Sequence, residues 1–156
     1  MKQSLLVDLL AGIVAILLQI MIFRHLEIWS ITADVTLLYI LGLCAVRPRT
    51  YVLLVGGVTA LTLDILLDTW GVHLFSVTLI VLFTHRIVAT QWENKLLTGQ
   101  TFLLLLVLSA VYNLIFLLIA SFAGIYDTNL LFLKFWLGSS VYTALIGIIL
   151  YLLLID

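Results

Sequence analysis

Charge is scarce in this sequence. Only 10% of its 156 residues are Asp, Glu, Lys or Arg, where a soluble domain carries about 25%, and a folded surface that poor in charge is not made for water. The formal net charge of −1 gives no concentrated basic footprint, which excludes a nucleic-acid binder. The lone cysteine, Cys44, has no partner in the sequence, so an intrachain disulfide or a cysteine-based metal site is excluded. There is also a single proline, Pro48, so only there does a proline interrupt the helical ladder. Catalytic signatures are missing as well: there is no HExxH, no GxSxG and no glycine-rich phosphate loop. The reading is of a protein that is not an enzyme and needs no cofactor or metal.

What the sequence does have is apolar length. Hydrophobic residues make up 65% of it and the mean hydropathy is +1.33. They fall in long runs without a polar stripe, which expects an all-α polytopic membrane protein of about six transmembrane helices in one domain spanning residues 1–156. Span one is Leu5 to Phe23, broken only by Asp8 and Gln19. It is too long for a signal-peptide core and no small-residue cleavage site follows, so it is expected to be retained. Span two, Val35 to Val46, has only 12 residues. It is either a short tilted helix or one entered through an irregular segment covered by protein.

Arg47-Pro48-Arg49-Thr50 ends span two, because proline stops the ladder and two arginines leave hydrocarbon. Span three runs from Tyr51 to about Leu67, and Asp68-Thr69-Trp70-Gly71 turns it back into span four, about Val72 to Val88. Gln91 to Gln100, with Glu93, Asn94 and Lys95, reads as the longest solvated stretch. Span five then covers Thr101 to Ala123, and span six most of Leu131 to Ile155. Placing both termini in the cytoplasm puts Lys2, Arg47, Arg49, Arg86 and Lys95 inside and leaves Arg24 and Lys134 outside, as the excess of cations in cytoplasmic loops requires. No segment outside the membrane is long enough for an independent domain.

Asp64 is the sharpest single feature, since a carboxyl within an apolar span costs at least about 2.5 kcal/mol on insertion scales. Gly56, Ala60, Asp64 and Asp68 recur every four residues, and with Gly57 they make a small-residue stripe suited to close helix packing. Asp64 reads in two ways: a proton or ion relay, or a group that caps or hydrogen-bonds a neighbouring helix. Asp68 and His73 flank the turn and share the carboxylate's side of the hairpin, although no paired-ligand spacing supports a metal site. Arg47, Pro48 and Arg49 form a cytoplasmic loop that serves topology or docks an acidic partner or headgroup. Gln19, Tyr112, Asn113 and the Ser139-Thr143-Gly147 stripe read as contacts between helices.

The middle of the chain resembles the MreD family, the small multi-pass subunit of the bacterial rod-shape machinery. The resemblance rests on Ala33-Asp34-Val35-Thr36-Leu37-Leu38-Tyr39, on Gly57-Val58-Thr59-Ala60-Leu61-Thr62-Leu63-Asp64 and on Gly71-Val72-His73-Leu74. It departs at Ala33, where proline is usual, and at Ala60 or Leu61, where a glycine is expected. What it implies is a non-catalytic scaffold in the bacterial inner membrane that binds MreC and links MreB filaments to RodA and its class B penicillin-binding protein. Asp34, Asp64, Gly71 and His73 are the family-like positions, shaping the hairpin and a partner-facing groove. The MreD fold is similar to the substrate-binding subunits of energy-coupling-factor vitamin transporters, which supply the alternative function. A proton-coupled transporter using Asp64 is a third reading, for which the sequence shows no internal repeat.

Overall fold

The computed structural model describes residues 2–23, 25, 31–93, 98–124 and 132–155. They form six α-helices: α1 (Lys2–Leu18), α2 (Val35–Val46), α3 (Arg49–Leu67), α4 (Val72–Glu93), α5 (Thr98–Phe122) and α6 (Phe132–Ile155). A π-helical turn, Gln19–Phe23, extends α1. All except α2 belong to stretches long and apolar enough to cross a membrane, and the chain is an all-α, multi-pass membrane bundle. Several boundaries differ from the sequence expectation: α1 starts at Lys2 and α5 at Thr98, each earlier than the apolar run. Helix α3 starts at Arg49, leaving Arg47 and Pro48 as the whole break, and α4 continues through Gln91 to Glu93. Arg24, Asn94 and Lys95 lie outside the described residues.

Local chemistry accounts for the breaks. Arg47 precedes proline and takes the extended backbone (φ −123°, ψ 152°) that the proline ring imposes on its neighbour. Pro48 then caps α3, its carbonyl accepting from Tyr51 and Val52 N–H at 3.0 and 3.1 Å. At the other end of α3 the backbone turns through three positive φ angles, at Asp68 (54°), Trp70 (50°) and Gly71 (90°). Only Gly71 takes such an angle without steric penalty.

Helix α2 lies at the centre, touching α1, α3, α4 and α6, while α1 packs mainly against α2 and α3 and leaves most of its surface outward. The core gathers Leu37, Ile40, Cys44, Val52, Val55, Ala60, Val77, Ile80 and Val81 between α2, α3 and α4. The tightest crossings are not at the α3 glycines. A Cβ on Gly56 would meet Val77 and Ile40 at an ordinary 3.5–3.7 Å. One on Gly12 would overlap Thr59, one on Gly138 would overlap Ile31, and one on Gly147 would lie 2.8 Å from both Leu38 and Leu105. Small residues therefore bring α1 onto α3, and α6 onto the segment entering α2.

The end of the bundle that holds both chain termini is tied by polar contacts. Asp8 on α1 pairs with Arg47 at 3.0 Å and accepts from the Tyr51 hydroxyl at 2.6 Å, while Tyr39 OH donates to the Asp8 carbonyl. His85 Nε2 meets the Arg47 carbonyl at 2.8 Å. In low dielectric these links are worth more than exposed ion pairs, provided each charge keeps its partner.

Candidate functional site

The first turn of α4 holds the site's most constrained group. Helix α4 begins at Val72, so the N–H groups of His73 and Leu74 have no acceptor within their own helix. Asp64, on the last turn of α3, supplies both: Oδ1 accepts from His73 N at 3.0 Å and Oδ2 from Leu74 N at 2.8 Å. Thr69 Oγ1 donates to Oδ1 at 2.5 Å. The Asp64 main-chain carbonyl also accepts, from the N–H groups of Asp68 and Thr69. The residue thus ends one helix with its backbone and begins the next with its side chain. Its carboxyl complements the positive end of the α4 dipole, and both oxygens are engaged. Of the two readings of Asp64, the structure shows the cap.

Asp68 goes the other way. It is exposed in the left-handed conformation at the end of α3 and does not join Asp64. Among the described residues no three His, Cys, Asp or Glu side chains converge as metal ligands.

His73 carries the polar chain inward. Its backbone is capped by Asp64, its Nδ1 lies 3.0 Å from Tyr112 Oη on α5, and its ring meets Phe116 at a centroid distance of 4.6 Å. The Asp34 carboxyl is buried on the same side and acts electrostatically on both His73 and Tyr112. Asp34, His73, Asp64 and Tyr112 are all buried, at 8%, 8%, 3% and 2% exposure. Groups distant in the chain therefore form one buried polar seam across α2, α3, α4 and α5.

Asp34 itself caps α2, accepting from Leu37 N at 2.8 Å. Because α2 has only 12 residues, about 18 Å of rise against a hydrocarbon core of about 30 Å, its first turn begins deep inside the bundle. Backbone at that depth is stable only when protein satisfies it. Gln19 Oε1 accepts from Val35 N at 2.6 Å, and Thr143 Oγ1, halfway along α6, accepts from Asp34 N at 2.9 Å. Ser139 Oγ donates to the Thr32 carbonyl at 2.8 Å. Span two is thus a short helix entered through an extended, protein-covered segment, the second of its two sequence readings.

Gly56 and Ala60 are buried within the same bundle, facing α2 and α4, whereas Gly57 is only half-buried, beside Leu74. Pro48 and Arg49 are exposed and Arg47 is half-buried against Asp8. Asn113 Nδ2 donates to Ser140 Oγ at 3.1 Å and Ser109 Oγ to the Ser140 carbonyl at 3.0 Å, joining α5 to α6. Sequence reasoning gave His85 no role and paired Tyr112 with no residue. A histidine one turn from the end of an apolar run was the available signal for the first, and nothing local identifies the partner of the second.

The chain matches no protein-family model, no curated protein and no solved structure. What its fold and buried seam define is a class: a multi-pass α-helical membrane bundle organised on a capped helical hairpin and a half-length helix.

Proposed function

We propose that this bundle is a non-catalytic scaffold of the bacterial cell-wall elongation machinery, set in the inner membrane with both termini in the cytoplasm. In this reading it binds MreC and, through it, helps couple MreB filaments to RodA and its class B penicillin-binding protein. The supporting observation is the convergence of Asp34, Asp64, Gly71 and His73. These are the positions on which the resemblance to MreD rests, and they meet in one turn and one buried polar seam. Such a seam makes a rigid frame that presents helix faces to other membrane proteins. The described segments between helices are short, so those faces are most of the surface available for a partner.

The half-buried Gly57 separates partner binding from folding. A Cβ there stands 3.7 Å from Leu74 and otherwise faces outward, so Gly57→Leu keeps the bundle while blocking close approach by a partner helix. Co-expression with tagged MreC is the test. Gly57→Leu is expected to melt like the parent and to lose co-purification. Full recovery of the pair with Gly57→Leu, or failure of the parent to co-purify, overturns the reading. So does saturable vitamin binding by the purified protein, which belongs to the transporter alternative.

A further inference from the structure

The half of the bundle that holds the chain termini contains a cavity of about 1060 Å³ between α2, α4, α5 and α6. Its walls are apolar, with Leu38, Gly42, Leu104, Leu108 and Leu150 among them, and no charged side chain lines it among the described residues. The polar residues of the lining are Tyr39, Gln91, Thr98, Thr101 and Tyr151, with Gln91 and Thr98 at the end where α4 finishes and α5 begins.

Its depth limits what fits. Toward the bilayer centre its lining ends at Val35 and Leu108, next to the Asp34–Thr143 hydrogen bond. From Thr98 to Leu108 along α5 is about 15 Å, half of a hydrocarbon core of about 30 Å. A transmembrane helix of a partner needs the full thickness, about twice that depth. Water has too few polar partners on such walls. A flexible hydrocarbon chain anchored in one leaflet has the required length and chemistry.

We propose that this cavity holds acyl chain of a phospholipid from the leaflet in which both chain termini lie, with its ester and headgroup region at Gln91 and Thr98. Neither wall nor lipid gains by leaving water, so retention comes from van der Waals contact on several sides of the chain. The absence of charged lining leaves headgroup charge unselected.

Gly42 makes the proposal testable, because it lines the cavity and a Cβ there would meet nothing within 4 Å. Gly42→Trp fills the space without a backbone clash, and Val46→Trp, at an exposed lining residue, is a second plug should the first misfold. Leu61→Trp, on an exposed outer face of α3, is the control. The full chain is purified in mild detergent and read by native mass spectrometry, then reconstituted with phosphatidylcholine spin-labelled on its acyl chain. The parent and Leu61→Trp are expected to keep a bound phospholipid and a motion-restricted spin component. The plugged variants should fold and lose both by about tenfold. Equal retention by parent and plugged protein, detergent as an adventitious additive only, or a dimer that the plug dissociates would each overturn it.

Discussion

Replacing Asp64 with alanine tests the organising idea that one carboxyl starts α4. The change removes three side-chain hydrogen bonds, from His73 N, Leu74 N and Thr69 Oγ1. Thr69 can turn its hydroxyl elsewhere, but the two backbone donors cannot, since the first turn of α4 has no other acceptor. A buried donor left unmade costs about 1–3 kcal/mol, so two orphans cost about 2–6 kcal/mol, partly offset by no longer burying a carboxyl. A net loss of about 3 kcal/mol lowers the melting temperature by about 6–12 °C for a domain of this size. Asp64→Asn keeps one acceptor oxygen and should lose about half as much. Thermal unfolding in a fixed detergent, followed by circular dichroism, measures both. A cycle with Thr69→Val should show coupling, because the two side chains share a hydrogen bond. If Asp64→Ala melts within error of the parent, or less stably than Asn by no margin, the carboxyl does not cap α4 and the account of the hairpin fails.

Two further outcomes follow from contacts elsewhere. Thr143→Val removes the hydroxyl that accepts from Asp34 N and should destabilise by about 1–3 kcal/mol, while Thr143→Ser should not; unfolding of the two variants side by side checks this. Gly12→Leu drives a side chain into Thr59 and is expected to cost about 1–3 kcal/mol as an overpacked crossing. Cross-linking of cysteine pairs placed on α1 and α3 should report their separation, and unchanged cross-linking would show that the crossing is not tight there.

Much of the helix layout was legible from composition and runs of apolar residues, down to the 12 residues of α2 and the stop at Pro48. The extra turns of α3 and α4 were not, because charged and amide side chains at a helix end reach water while their backbone stays helical. At the site, a cap or a hydrogen bond to a neighbouring helix was one of two readings left open for Asp64, and only the contacts of His73 N and Leu74 N chose it. Of the stripe, Gly56, Ala60 and Asp64 face inward while Gly57 is half-buried and Asp68 exposed, and the closest approaches came at Gly12, Gly138 and Gly147, where side chains of other segments create the demand for a missing Cβ.

By itself, the sequence determined that this protein lives in a membrane and folds as helices. Those are local consequences: a long apolar run has lipid as its only solvent, and in lipid each backbone group must bond within its own helix. It also showed that span two, at 12 residues, is short for a crossing, and left open whether it tilts or is entered through an irregular segment. Which groups complete that span was decided only in three dimensions, by Gln19, 16 residues before Val35, and Thr143, 109 residues after Asp34. The same holds for the meeting of His73 with Tyr112, 39 positions away, and for the cavity beneath them. An unsatisfied N–H states a need that can be read locally, but its partner is whatever the packing of distant helices brings within about 3 Å.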